Sequence, residues 1–383
     1  MDFAFNEDQE LLRQTTRRFL ENRQSLQSVR QVLESDDVFD RSVWRSGAEL
    51  GWTAMLIPED YDGGSVTDQP LVDLAVLAQE LGRVLYPGPF IPTNVVADAL
   101  AASGSEAQRK DLLPLIAAGE SVAAWCTTGD GSPYVRSVAV DATAVPDGYR
   151  LDGVARYVHG AGSADVLLVA AKSEEGLVHL LVPGHSVGVD VRRLVGLDLS
   201  RRLGEVRFEA VPVAASSVVG TAGAEGEAIL ARGLRLASVL QAAEAVGAAE
   251  YLFQATVQYA KDRVQFGRPI GSFQALKHRF ADMHISMEAM RVAAQYAALA
   301  VADGQPDAEE AVAVAGSYVK EAFSAMCGEA LQLHGGIGFT WEHDVHVFLR
   351  RAKTDQVLYG DPAWHRERLC QLIEAATAVE NAK

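Results

Sequence analysis

The sequence predicts a mainly helical α+β chain in three regions: a helical domain over 1–120, a β-barrel or sandwich over 121–222, and a C-terminal four-helix bundle over 223–383. Three observations carry that expectation. Apolar residues recur at helical spacing in the first region. Short β-rich runs bounded by turn residues fill the second, and long helical patterns fill the third. Alanine is abundant and aromatic residues make up only 7%. That suits long, closely packed helices, because alanine has the best helix propensity and lets backbones approach.

In the first region the helical stretches are FNEDQELLRQTTRRFLE, SVWRSGAELGWTAML, LVDLAVLAQELGRVL and EAQRKDLLPLIAAGE. Pro58, Gly63, Gly64, Pro87, Gly88 and Pro89 punctuate them. In the second, SVAVDATAV, YRLDGVARYV, DVLLVAAKS, VHLLVPG and GEVRFEAVPV have the length and bounding turns of antiparallel strands. In the third, helical spacing runs over 234–263, 273–303, 307–333 and 362–378, and four such helices joined by short loops make a bundle. DRVQFGRPIGSFQ and LHGGIGF break the pattern as Gly-rich loops.

The formal net charge of −17 opposes polyanions, so neither nucleic acid nor an anionic membrane surface is an expected partner. Cys126, Cys327 and Cys370 are too dispersed for a disulfide framework or a metal site, which points to a reducing cytoplasm and no metal. The acidic, amphipathic start lacks the pattern of a signal peptide. The most apolar stretch, 228–249, carries Arg232, Arg235 and Glu244, so no segment is expected to span a membrane.

Three segments together resemble the acyl-CoA dehydrogenase family: LIPEDYDGG (56–64), YAKDRVQFGRPIGSFQALKHRFADM (259–283) and ALQLHGGIGFTWEHDVHVFLRRAKTDQVLYG (330–360). The resemblance spans essentially the whole chain. It implies FAD, an acyl-CoA substrate, a tetramer built as a pair of dimers, electron-transfer flavoprotein as electron acceptor, and α,β-dehydrogenation. In that reaction a carboxylate takes the α-proton and flavin N5 accepts the β-hydride. The base must lie in hydrogen-bond reach of a weakly acidic carbon, and the thioester oxygen needs donors that stabilise the enolate.

The resemblance places the neighbouring subunit's FAD, at its ADP part, against Arg263, Gln265, Phe266, Gln274, Gln332, Gly335 and Gly336. The chemistry suits those positions. Arg263 can fork onto pyrophosphate, the glutamines both donate and accept, and the glycines admit a ligand to the backbone. Read one at a time, Arg263 is an ordinary helix C-terminal cation and the glycines an ordinary turn.

Elements near the flavin ring depart from the family pattern. Where the family has a Thr-Glu-Pro…Gly-Ser-Asp motif, this chain has WCTTGDGSPYV (125–135), in which a threonine survives, Thr127 or Thr128, and the Glu-Pro does not. A Trp-Ile-Thr motif is replaced by RYVHG (156–160), which puts Tyr157 and His159 in its place. His159 is either a weak flavin donor or an ordinary surface histidine, the latter being slightly favoured. Both usual places for the base are empty, being Gly360 and Ala237, the latter followed by Ser238. A family threonine that contacts the flavin is Pro362 here. Two carboxylates remain as weak candidates. Asp361 precedes Pro362 and reads as the N-cap of the last helix. Glu244 lies two helical turns beyond Ala237, roughly 10 Å along the axis, and a buried ion pair or subunit contact is its more ordinary role.

Three functional expectations follow. The first is a base-lacking subunit, resembling the β-type subunits of heterotetrameric acyl-CoA dehydrogenases, some of which act on steroid side chains. It would clamp the ADP part of FAD for a partner that holds the glutamate. The second is a homo-oligomeric dehydrogenase with Glu244 or Asp361 as a relocated base. The third is a dehydrogenase-like binding or assembly protein without redox activity.

Overall fold

The computed structural model describes residues 5–24, 26–34, 39–128 and 138–381. Six helices come first: α1 (Glu7–Arg23), α2 (Leu26–Glu34), α3 (Arg41–Ala48), α4 (Pro70–Arg83), α5 (Phe90–Ser103) and α6 (Glu106–Ala117). Eight strands follow: β1 (Ala123–Cys126), β2 (Val140–Val145), β3 (Gly148–His159), β4 (Val166–Ser173), β5 (Gly176–Pro183), β6 (Val189–Arg193), β7 (Leu203–Ala214) and β8 (Val218–Val219). Then come α7 (Ala224–Asp262), the short pair β9 (Val264–Gln265) and β10 (Arg268–Pro269), α8 (Gln274–Ala302), α9 (Ala308–His334), α10 (Val345–Asp355) and α11 (Pro362–Asn381). No helix among the described residues is long and apolar enough to cross a membrane.

Local chemistry sets several of these ends. At α1 the Asn6 side chain accepts the Gln9 amide at 2.8 Å and the Gln9 side chain accepts the Asn6 amide at 3.2 Å. This reciprocal capping box, with Glu7, Asp8 and Glu10 in the first turn, satisfies free amides and complements the helix dipole. Ser105 and Gln108 build the same device at α6.

The chain gathers into two compact units that do not follow chain order. One takes Met1–Val29, Ala75–Tyr86 and Ser238–Lys383; the other takes Arg30–Leu74 and Pro87–Ala237.

The second unit holds the sheet, in the order β6-β7-β3-β2-β4-β5-β8, with β1 joined to β4. Most pairings are antiparallel, as expected. Strand β1, however, runs parallel to β4 from Ala123↔Val166 to Cys126↔Val169, and β2 meets β4 in a single parallel bridge. Strands β4 and β5 are buried almost end to end, and Leu167, Val169, Val178, Leu180, Val206 and Phe208 share one core. Helix α5 covers β1. Thr93 donates to the Ala123 carbonyl at 3.0 Å, and Asn94 donates to the Trp52 and Phe90 carbonyls at 3.0 and 2.9 Å.

The first unit is built on the helices after Ser238. Glycines let α4 and α7 meet backbone to backbone. A Cβ on Gly82 would lie 2.0 Å from the Glu244 carbonyl oxygen, and one on Gly247 would lie 1.8 Å from the Gln79 carbonyl oxygen. Buried Glu80 is neutralised beside that crossing by Arg17 at 2.7 Å, with Arg83 at 3.7 Å.

The four expected bundle helices are present as α7, α8, α9 and α11, with two differences in detail. Helix α10 is a fifth helix, packed on α9, and it was not legible because its buried face mixes Val347, Phe348 and Ala352 with Arg351 and Asp355. Helix α7 begins at Ala224, ten residues before the expected start at 234. Gly226 and Gly233 interrupt the helical pattern there, yet both are packing glycines: Cβ atoms on them would lie 2.0 Å from the Leu177 carbonyl oxygen and 2.8 Å from the Trp125 ring.

Candidate functional site

Helix α7 ends one residue before Arg263, whose amide still donates to the Tyr259 carbonyl at 2.8 Å. The chain then turns tightly. Val264 pairs with Pro269 and Gln265 with Arg268, and the two turn residues, Phe266 and Gly267, have φ of 53° and 78°. Positive φ at both central residues is the two-residue hairpin turn that matches strand twist. Glycine takes it freely, but a bulky side chain at that φ is strained by about 1–3 kcal/mol. The Phe266 side chain is nevertheless 91% exposed. It meets Phe273 edge-on at 6.1 Å, and Phe273 lies under the Arg268 guanidinium at 4.1 Å. The turn thus holds an aromatic ring in the open, touched on one edge by Phe273.

Arg263, Gln274 and Gln332 are all exposed. Among the described residues Arg263 has no carboxylate partner within ion-pair distance, although the chain is strongly acidic. Gln265 donates only to the neighbouring Val264 carbonyl at 3.0 Å.

The second glycine turn closes α9. Gly335 has a φ of 64°, which demands glycine. Gly336 does not: its φ is ordinary and a Cβ there would have nothing within 4 Å. Nothing in the chain's own packing calls for glycine at 336, whereas a ligand approaching the backbone would. Ile337, Phe339 and Trp341 lie exposed just beyond.

The two empty base positions are filled in. Gly360 is buried at a φ of 93°, after Tyr359 at 57°. A Cβ at 360 would lie 2.5 Å from Cε3 of Trp364 and 3.1 Å from Nε2 of His365. The ammonium of Lys320, itself only 4% exposed, donates to the Leu358 carbonyl at 2.7 Å and also to the Gly360 carbonyl. His365 is 1% exposed. Burial first, with the charge of Lys320 added, pushes its pKa down to about 3. Ala237 is fully buried, and Ser238 makes a long contact of 3.4 Å to the Tyr359 carbonyl.

The remaining carboxylates are placed as follows. Asp361 accepts the Trp364 amide at 2.6 Å and Pro362 opens α11, the N-cap arrangement expected from the sequence. Glu244 is buried on α7, and its backbone carbonyl faces Gly82.

In the other unit, the Thr128 hydroxyl donates to the Arg156 carbonyl. His159 ends β3, is 5% exposed and has Nε2 3.4 Å from the Pro87 carbonyl oxygen. It is not the surface histidine favoured above: its strand carries it inward. Tyr157 is half-buried at a φ of 58°. Of the altered 125–135 motif, residues 129–135 lie outside the described residues.

Comparison with known proteins decides the family. Residues 6–120 match the acyl-CoA dehydrogenase N-terminal domain and residues 215–373 the C-terminal domain. The acyl-CoA dehydrogenase IpdE2 of Mycolicibacterium smegmatis is 33% identical over 96% of this chain and 98% of its own length. The chain belongs to the acyl-CoA dehydrogenase family. The solved structure of a variant of the Tcur3481–Tcur3483 steroid ACAD is 30% identical with a TM-score of 0.86, covering 97% of this chain and 99% of that one. The ChsE4–ChsE5 complex of Mycobacterium tuberculosis is 27% identical with a TM-score of 0.88, covering 98% and 99%.

Acyl-CoA dehydrogenases are FAD-dependent oxidoreductases, and the α+β, mainly helical architecture is theirs. The residues at the two glycine turns suit the ADP half of FAD. They offer an uncompensated guanidinium, exposed amides, an open aromatic ring and a glycine whose missing Cβ leaves the backbone accessible. Among the described residues there is no cluster of His, Cys, Asp and Glu able to hold a metal.

Sequence reasoning missed Tyr259, Lys320, Trp364 and His365. Lys320 carried a signal: it sits one turn from Gly316 and three residues before Phe323, on the apolar stripe of α9, where a lone lysine must find buried acceptors. Tyr259 carried none, because its partner is 75 residues away.

Proposed function

We propose that this chain is the base-lacking subunit of a heteromeric acyl-CoA dehydrogenase, and that it lends an ADP clamp to a flavin whose ring, base and acyl pocket belong to a partner subunit. The observation that carries the reading is Gly360. The usual glutamate is absent, and the space its side chain would enter is taken by Trp364 within a turn bound by Lys320. The clamp positions, by contrast, are open.

In this reading Arg263 pairs with the pyrophosphate, and Gln265, Gln274 and Gln332 donate to and accept from the adenosine half. Phe266 packs against the cofactor, and Gly335 and Gly336 let the backbone approach. Thr128 and His159, the weak ring-side candidates, lie against the Arg156 and Pro87 carbonyls and have no part in this clamp. FAD, when bound, supplies the hydride acceptor, and the partner's carboxylate takes the α-proton. The work of this chain is to hold the cofactor's far end and keep it in register. Asp361 is a poor base because its carboxylate caps α11, and Glu244 is better suited to a buried contact at the α4–α7 crossing.

The likeness to a steroid ACAD and to a complex of two named chains supports a bulky acyl-CoA substrate and a heteromer, for which we propose a hetero-tetramer with a base-containing subunit. Electron-transfer flavoprotein is the proposed electron acceptor. Two buried, free cysteines, Cys126 and Cys327, agree with the reducing cytoplasm.

The test compares two preparations. Tagged chain recovered from its own cells is expected to bring down a base-containing acyl-CoA dehydrogenase chain and about one FAD per unlike pair. The chain expressed alone with added FAD is expected to be colourless after purification. One tightly held flavin per subunit in the lone chain, with turnover abolished by Glu244→Gln, would instead establish the homo-oligomeric enzyme.

A further inference from the structure

The clamp residues come from three places in the sequence: the Arg263–Phe266 hairpin, Gln274 at the start of α8, and the Gln332–Gly336 turn. FAD is held most tightly when the hairpin and the turn stand at a fixed separation before it arrives, since ordering two loose elements on binding weakens affinity. One side chain joins them. Tyr259 stands one helical turn before Arg263 on α7 and receives the Arg263 amide on its own carbonyl at 2.8 Å. Its hydroxyl donates to the His334 carbonyl at 3.2 Å. Its ring stacks on the His334 ring with centroids 4.3 Å apart and planes at 25°.

His334 is the last residue of α9 and directly precedes Gly335. It is held in turn: its Nδ1 lies 2.8 Å from the Ala330 carbonyl oxygen, and the His343 ring stands 4.7 Å away at 61°. Tyr259 also meets His343 edge-on at 6.4 Å and 83°. Three rings therefore support the two-glycine turn, and Tyr259 is the one on α7, the helix that leads into Arg263.

We infer that Tyr259 is the positioning residue of the clamp: it sets the distance between Arg263 and the Gly335–Gly336 turn and so governs how tightly this chain holds the ADP half of FAD. The inference rests on the clamp reading above. Tyr259 touches no reacting atom. Its hydroxyl fixes the start of the glycine turn, and its ring fixes the direction in which that turn leaves α9.

The test uses the complex recovered with tagged full-length chain, stripped of flavin and titrated with FAD while flavin fluorescence is followed. Tyr259→Phe keeps the stack and loses one hydrogen bond, so its Kd for FAD is expected to rise about fivefold. Tyr259→Leu loses both contacts and is expected to exceed tenfold. Losing that bond is expected to lower the urea midpoint of Tyr259→Phe slightly. The control is therefore Thr256→Val, which removes a buried hydroxyl bond on the same helix away from the glycine turn. It is expected to lower the midpoint similarly while leaving the Kd unchanged. Arg263→Ala serves as the benchmark for the clamp. If Arg263→Ala weakens FAD and Tyr259→Phe does not, the coupling is wrong and the clamp stands. If neither weakens FAD, or the wild-type complex binds none, the clamp fails and the coupling with it. A Kd that rises as much in Thr256→Val as in Tyr259→Phe would make the effect one of general stability and overturn the inference.

Discussion

Two glycine-bearing turns of this chain look alike in sequence and are opposite in structure. At the end of α9, Gly336 has empty space where its Cβ would be. After α10, Gly360 has Trp364 at 2.5 Å, and nearby Gly316 has the His365 ring at 2.4 Å. The first turn is open outward, among exposed aromatic and amide side chains. The second is closed inward over a buried lysine and a neutral histidine. A glycine can mean that a ligand must come close, or that the chain's own side chains already have; only the neighbours tell which. In a family whose work depends on a flavin and a base, this chain keeps one turn open and has packed the other shut.

The largest expected effect tests the closed turn. Gly360→Glu restores a carboxylate at one of the two positions where the family resemblance expects the base, but it places a long side chain at a φ of 93° and drives it into Trp364. Left-handed strain and overpacking together are expected to destabilise the protein by about 2–5 kcal/mol, read from urea unfolding. The purified chain is expected to gain no turnover on acyl-CoA. In a Trp364→Ala background the penalty for Gly360→Glu should be smaller, because the two side chains compete for one space. Equal penalties in both backgrounds would mean that Trp364 does not close the site.

A smaller effect reads the same turn through pH. Buried His365 resists its proton until about 3 against an ordinary value of 6.5, whereas the unfolded chain takes that proton up near 6.5. The stability that comes with a neutral His365 is therefore complete above pH 6.5 and declines as pH falls toward 3. By pH 5 the loss is about 2 kcal/mol. His365→Asn removes this dependence. The stability gap between wild type and variant should thus narrow by about that amount between pH 7 and pH 5. A constant gap would show that His365 is solvated or paired, and that the turn is looser than its packing indicates.

The same contrast explains how much was legible beforehand. Helical spacing and short β-rich runs gave the mainly helical α+β architecture, because both periods are local. The Asp361–Pro362 cap was legible for the same reason, since an N-cap and its amide lie three residues apart. Helix α10 was not, because Arg351 and Asp355 sit on its buried face and break the apolar stripe that marks a helix. Candidate clamp residues could be named one by one, but not the tie between them, since the Tyr259–His334 bond spans 75 residues. Absence of the glutamate at 360 was plain to see. What fills its place comes from α9 and α11, and no pattern around Gly360 announces Lys320 or His365. Burial of His159 was likewise hidden, because strand β3 has bulges that shift its inward and outward alternation between Leu151 and Val158.

The smallest expected effect on stability is the sharpest test of the open turn. Gly336→Ala adds one methyl group into space with no neighbour within 4 Å, at a backbone conformation any residue adopts. Stability should change by no more than about 0.5 kcal/mol, as for exposed positions generally. If Gly336 is glycine so that the cofactor can reach the backbone, the same methyl group lies in the ligand's path, and FAD affinity of the recovered complex should fall at least about tenfold, the equivalent of about 1.4 kcal/mol. The two readouts pull apart only if the space belongs to a ligand. A variant that holds FAD as wild type does would leave Gly336 a solvent-facing turn residue, and the contrast with Gly360 would then be one of packing alone.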